Sequence, residues 1–115
     1  NMQEPFTTKR PWGDFRQFTS GENTTVKIIL IKPNSSLSLQ YHNKRDEFWH
    51  ILSGHPIITI GEKKIDAKVG DEFKIVKMEK HQIEAKEEPV QFLEISFGDF
   101  DEEDIVRLED KYGRA

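Results

Sequence analysis

Hydrophobic and polar positions alternate along most of the chain, in short runs cut by turn residues. "TVKIILIKP" (25–33) is rich in β-branched residues and stops at Pro33-Asn34. "SLSLQYH" (36–42) sets Leu37, Leu39 and Tyr41 on one face and Ser38, Gln40 and His42 on the other. "EFWHILSG" (47–54) places Glu47, Trp49 and Ile51 on one face, opposite Phe48, His50 and Leu52. "PIITIGEKKIDA" (56–67) has the signature of a hairpin turning at Gly61-Glu62. "DEFKIVK" (71–77), "HQIEAK" (81–86) and "PVQFLEISFG" (89–98) complete the series. About seven or eight closely spaced strands without long helical patterns predict an all-β sandwich or barrel. One short helix is expected near the C-terminus, where Asp101 can cap "EEDIV" and an acidic first turn suits the helix dipole.

Composition narrows this picture. The 115 residues suit a single domain, 1–115, with 35% hydrophobic and 33% charged residues around one modest core. A net charge of −4 and the lack of a basic stripe with interleaved aromatics argue against nucleic-acid binding. No apolar run approaches the roughly 20 residues that span a bilayer, and the polar opening "NMQEPFTTKR" has no signal-peptide pattern. Met2 reads as the natural start and the cytoplasm as the expected compartment. With no cysteine, disulfides and thiolate metal sites are excluded, so any metal must use imidazole, carboxylate or carbonyl ligands.

One constellation carries chemistry. Gln40 and His42 share a strand face, and Glu47 opens the next strand after a connection of four residues, Asn43 to Asp46. If those strands pair antiparallel, Glu47 faces the same interior, and His81 completes a set of two imidazoles, a carboxylate and an amide oxygen. Those donors suit a divalent ion such as zinc, manganese, cobalt or iron, with room left for water or substrate. Without metal, burying the carboxylate and amide would cost several kcal/mol, to about the extent that hydrogen bonds fail to compensate. His ligands must be neutral to bind, so metal affinity should fall below roughly pH 6. His50 should face away from Glu47, and His55 sits at a turn.

The spacing resembles the first motif of the cupin superfamily, small jelly-roll barrels that hold a metal. That motif runs Gly, five residues, His-x-His, three or four residues, Glu, six residues, Gly; this chain reads Asn34, five residues, Gln40-Tyr41-His42, four residues, Glu47, six residues, Gly54. Asn34 stands for Gly at a turn where either can be left-handed. In the second motif Gly70 and His81 keep their spacing, while Val76 and Met78 stand where Pro and Gly occur. "RPWG" (10–13), "IKPNSSLSLQYHNKRDEFW" (31–49), Ser53-Gly54 and "EDIVRLEDKYGR" (103–114) are similar to type II mannose-6-phosphate isomerases, where Gln replaces the first cupin His. In many relatives such a domain follows a sugar-phosphate nucleotidyltransferase; here it is expected to stand alone.

The resemblance implies a cupin jelly roll that converts mannose 6-phosphate to fructose 6-phosphate. It implies metal ligation by Gln40, His42, Glu47 and His81, with zinc the first choice. Arg45 and Lys27 are the candidates for activity and for holding substrate phosphate, because a guanidinium fork matches phosphate oxygens. Arg10 and Arg107 fall in the shared motifs as salt-bridge or substrate residues, and Trp12 is expected to anchor the N-terminal segment on the barrel. The alternative is a non-catalytic cupin that binds a sugar or sugar phosphate as sensor or accessory module. A homodimer formed through edge strands is expected, since pairing protects exposed sheet edges.

Overall fold

The computed structural model describes residues 3–110 and 112–113; Asn1 and Met2 lie outside the described residues, as do Lys111 and Arg114 of the tail motif. Among the described residues eleven strands form three sheets. A hairpin of β1 (Phe6–Arg10) and β2 (Gly13–Gln17) pairs only with itself. The second sheet orders β3 (Thr24–Ile31), β10 (Val90–Phe97), β5 (Asp46–Ser53) and β8 (Glu72–Ile75). The third orders β11 (Val106–Glu109), β4 (Leu39–Tyr41), β9 (His81–Glu84), β6 (Ile57–Ile60) and β7 (Lys63–Asp66). All pairings in these sheets are antiparallel.

The two larger sheets bury their inward faces against each other. Alternate residues supply the core: Ile31 from β3, Trp49 and Ile51 from β5, Ile58 from β6, Ile75 from β8, Ile83 from β9, and Val90 and Phe92 from β10. Each such side chain stabilises the fold by about 1.5–3 kcal/mol relative to exposure. The period of two holds for 47–54 and sets Gln40 and His42 inward, but only Leu39–Tyr41 of 36–42 is regular strand, and Leu37, expected on the opposite face, packs against the core beside Ser38 and Gln40. Glu47, Trp49 and Ile51 are inward, while His50 is outward, beside Glu72 at 2.8 Å.

Three expectations need correction. First, 36–42 and 47–54 are not a hairpin: β4 pairs with β9 and β11, and β5 pairs with β10 and β8, so they lie in different sheets. Their polar faces converge across the sandwich rather than along one ladder. Second, no helix forms among the described residues. Asp101 does accept an N–H, from Glu103 at 3.0 Å, and its carbonyl accepts from Asp104 at 3.0 Å, but this closes only a turn. Asp104 then binds another loop, and the β-branched Ile105-Val106 pair leads into β11 against β4. Third, Trp12 is 73% exposed at the tip of the β1–β2 hairpin instead of lying on the barrel.

Candidate metal centre

His42 follows β4 immediately, Glu47 opens β5 and His81 opens β9, so both large sheets contribute to one point. All three side chains are 1–2% exposed. His42 Nε2 lies 3.3 Å from Glu47 Oε2, and His81 Nε2 lies 4.0 Å from Glu47 Oε1. The nearest ligand atoms of the three residues all lie within 4.8 Å of one another, so the group could hold a metal ion. Gln40 faces His81 directly in the β4–β9 register, which puts its side chain on the same inward face. Its Oε1 accepts a hydrogen bond from Ser38 at 2.5 Å.

The outer contacts orient both imidazoles the same way. His42 Nδ1 lies 2.6 Å from the Asp104 carbonyl, and His81 Nδ1 lies 2.9 Å from the Glu79 carbonyl. A carbonyl only accepts, so in the neutral ring each Nδ1 carries the proton and each Nε2 presents a lone pair to the centre. Burial chiefly depresses the His81 pKa, outweighing the Glu79 contact that would raise it, and favours the neutral ring. His81 Nε2 is buried with no hydrogen-bond partner. A buried orphan acceptor, aimed at a carboxylate and a second imidazole, is what an N/O donor set for a divalent ion requires.

Two backbone features hold this geometry. Asp104 accepts from the Asn43 and Lys44 N–H groups, each at 2.9 Å, and so fixes the loop after His42. Burial alone would raise the Asp104 pKa, but these two donors, with Arg45 and His42, bring it below the usual value. On the other side, Met78 donates its N–H to the His42 carbonyl at 2.7 Å. Met78 has φ 68°, the left-handed conformation that a glycine would favour there, and Asn34 has φ 57° at the opening turn.

Arg45 is no exposed turn residue. It is 8% exposed, with Nε 2.9 Å from Glu47 Oε2, one terminal nitrogen 3.1 Å from the Asp101 carbonyl and the other 3.4 Å from His42 Nε2. Its guanidinium also stacks 4.6 Å from the Phe100 ring centre. The cation offsets the buried Glu47 charge, while Glu47 Oε1 is left to Trp49 Nε1 at 3.3 Å and to His81.

A cavity of about 160 Å³ opens beside His42. Lys27, Arg45, Arg107, Gln40 and Glu94 supply its polar wall, and Ile29, Leu37, Phe100 and Ile105 supply apolar surface. Lys27 therefore faces inward; its Nζ sits 3.2 Å from Glu102 and 4.3 Å from the Phe100 ring centre. Arg107 lies opposite Gln40 in register, and its Nε is buried without a partner. A larger groove of about 440 Å³ runs along Asn34–Ser36 and 84–87, but none of the clustered His or Arg residues lines it. Arg10 is elsewhere, on the β1–β2 hairpin over Phe15, and His55 is an exposed residue 3.9 Å from Glu88.

Glu94 is the residue that motif reading misses. Its partners across the ladder are Lys27 and Trp49, and its pKa is pushed up to about 8, first by burial and then by the Glu47 charge. The signal was present: in "VQFLEISF", Glu94 has the same parity as Val90 and Phe92, so an acid falls on a core face. Asp104 carried no comparable signal within its acidic run.

Comparison with known proteins agrees with this architecture. Residues 1–110 match the family model described as mannose-6-phosphate isomerase C-terminal. The chain is 35% identical over 105 residues to mannose-1-phosphate guanylyltransferase 2 of Escherichia coli O157:H7, covering 90% of this chain and 22% of the relative. It is 36% identical over 108 residues to the xanthan biosynthesis protein XanB of Xanthomonas campestris, covering 92% and 23%. The chain thus spans under a quarter of these relatives' length. Among solved structures, a cupin protein from Bacteroides fragilis superposes with a TM-score of 0.60 at 30% identity, over 68% of this chain and 70% of that one. Oxalate decarboxylase from Bacillus subtilis superposes with a TM-score of 0.69 at 27% identity, over 76% and 24%. With its inward-facing imidazoles and carboxylate set between two antiparallel sheets, the chain belongs to the mannose-6-phosphate isomerase C-terminal family and has the cupin fold.

Proposed function

We propose that the protein is a metal-dependent aldose–ketose isomerase that interconverts mannose 6-phosphate and fructose 6-phosphate, with residues 1–115 acting as one cupin domain. The observation that carries this reading is the buried His42–Glu47–His81 group beside a cavity whose wall carries Lys27, Arg45 and Arg107 together with the carboxyls of Glu94 and Glu102. His42, His81, Glu47 and the Gln40 amide oxygen are the ligands; an all N/O set suits zinc first, with manganese, cobalt or iron next. A bound divalent ion supplies Lewis acidity toward the carbonyl and hydroxyl oxygens at C1 and C2.

The chain's own residues do the rest. Lys27 and Arg107 hold the phosphate dianion, and that binding energy orients the sugar's reactive end toward His42. Arg45 holds the Glu47 carboxylate in place and extends the positive potential into the cavity. Glu94, a buried carboxyl of the cavity wall outside the ligand set, exchanges a proton with a sugar hydroxyl. Isomerisation needs one proton moved between C1 and C2 and one between their oxygens, so no external oxidant or reductant enters.

A second reading, a non-catalytic cupin that binds a sugar phosphate, is favoured by one observation: Arg45 is spent on internal contacts with Glu47, Asp101 and His42. The test separates the two. The protein is loaded with zinc, cobalt or manganese, and fructose 6-phosphate formation from mannose 6-phosphate is followed. Metal-dependent turnover is expected, with KM raised about 10- to 100-fold in Lys27→Met, the cost of one charge-assisted hydrogen bond. Binding of mannose 6-phosphate without turnover at any metal would overturn the isomerase and leave the binding module.

A further inference from the structure

Glu102 is an acid of the cavity wall that neither the ion nor the proton transfer uses. It sits on residues 98–105, the connection from β10 to β11. Its carboxylate accepts a hydrogen bond from Lys27 Nζ at 3.2 Å. The pair is wet, with the lysine side chain 37% and the glutamate side chain 77% exposed. Glu94 faces Lys27 across the ladder and is buried, yet among the described residues the ammonium donates outward, to Glu102. A carboxylate oxygen therefore already occupies one of the cations assigned to the phosphate.

The backbone beneath Glu102 is fixed, and its side chain is not. The Asp101 carboxylate accepts the Glu103 N–H and the Asp101 carbonyl accepts the Asp104 N–H, each at 3.0 Å. The Asp104 carboxylate then ties the turn to Asn43 and Lys44. Phe100 is clamped between cations, its ring centre 4.6 Å from the Arg45 guanidinium carbon and 4.3 Å from Lys27 Nζ. Freed from Lys27, the Glu102 carboxylate moves into solvent by a rotamer change alone, a fast step for an exposed side chain. Arg107 is in the opposite condition: its Nε is buried in the same wall without a partner.

We propose that Glu102 is an internal competitor for the substrate phosphate: its carboxylate holds Lys27 in the free protein and yields it when a phosphate enters. This rests on Lys27 and Arg107 holding the phosphate, as proposed for the reaction. The exchange favours the ligand. A phosphate group brings more negative charge than one carboxylate and three acceptor oxygens, so it meets Lys27 and the open Arg107 donor together, where Glu102 meets Lys27. A neutral hexose offers hydroxyls only and leaves Glu102 on the ammonium. The competitor also eases departure. Substrate and product carry the same phosphate, so the grip on it is uniform binding, which lowers KM without raising kcat. A carboxylate that retakes Lys27 loosens that grip on substrate and product alike.

Phosphate binding is the readout, so the test does not depend on turnover. The metal-stripped chain is titrated with inorganic phosphate and followed by phosphorus NMR. Glu102→Gln should bind phosphate about two- to fivefold tighter than wild type, the range set by one exposed ion pair. Glu103→Gln removes a charge from the same turn but outside the cavity wall, and should leave the affinity unchanged. Lys27→Met should weaken binding. A Glu102→Gln variant no tighter than wild type, or an equal gain in Glu103→Gln, would overturn the competitor. If Lys27→Met still weakens binding in that case, the phosphate site itself stands. Wild-type affinity in Lys27→Met, or no binding by any of these proteins, would overturn both.

Discussion

At the scale of single residues, the site depends on side chains held in place by backbone that ordinary residues adopt reluctantly. Met78 is the clearest instance. Its left-handed conformation lets its N–H reach the His42 carbonyl, at a steric cost of about 1–2 kcal/mol for a residue with a Cβ. Glycine would remove that cost while adding about 0.5–1 kcal/mol of unfolded-state freedom. The side chain is exposed and gives up little packing. Met78→Gly should therefore stabilise the protein by on the order of 0.5–1 kcal/mol in urea unfolding, with metal affinity kept. A loss of stability would show that the Met78 side chain, and not its backbone, matters.

At the scale of elements, the β1–β2 hairpin is an arm whose tether to β8, Arg16 on Glu72 at 2.7 and 2.9 Å, has a definite pH response. The Glu72 carboxyl is held below its usual value of 4.5 chiefly by Arg16, with His50 adding to this against the burial that raises it. Its folded-state pKa lies below the unfolded one, so the tether is fully present above about pH 4.5 and is lost as pH falls through the folded value. Amide exchange over residues 6–17, corrected for intrinsic rate, should accelerate relative to β10 between about pH 6 and pH 3. Glu72→Gln should open the arm already near pH 6; equal protection in variant and wild type would remove the tether from the account. These elements also mark what the chain lets a reader see. Strand faces are legible because a period of two survives any choice of neighbour, and so Gln40, His42 and Glu47 can be placed inward. Strand partners are not: 36–42 and 47–54 look like a local hairpin, whereas distant β9, β10 and β11 pair with them. The acidic turn at Asp101–Asp104 imitates a helix start because a capping side chain serves both structures. The polar β1–β2 hairpin hides because its apolar residues face outward.

At the scale of the whole molecule, the central claim is that one ion joins the two large sheets. Glu47 comes from the β3-β10-β5-β8 sheet, and His42 and His81 come from the other. No helix among the described residues is long and apolar enough to cross a membrane, so nothing in them anchors this barrel by that route. An ion held by both sheets binds the folded chain alone and should stabilise it by about 2.7 kcal/mol at a hundred times its Kd. The most direct measurement is zinc titration of metal-stripped protein by calorimetry, paired with thermal unfolding of the same samples. The account predicts one ion per chain and a raised Tm in the wild type, with affinity down at least tenfold and no gain in Tm in His42→Ala and His81→Ala. Wild-type affinity and wild-type thermal gain in both variants would contradict it.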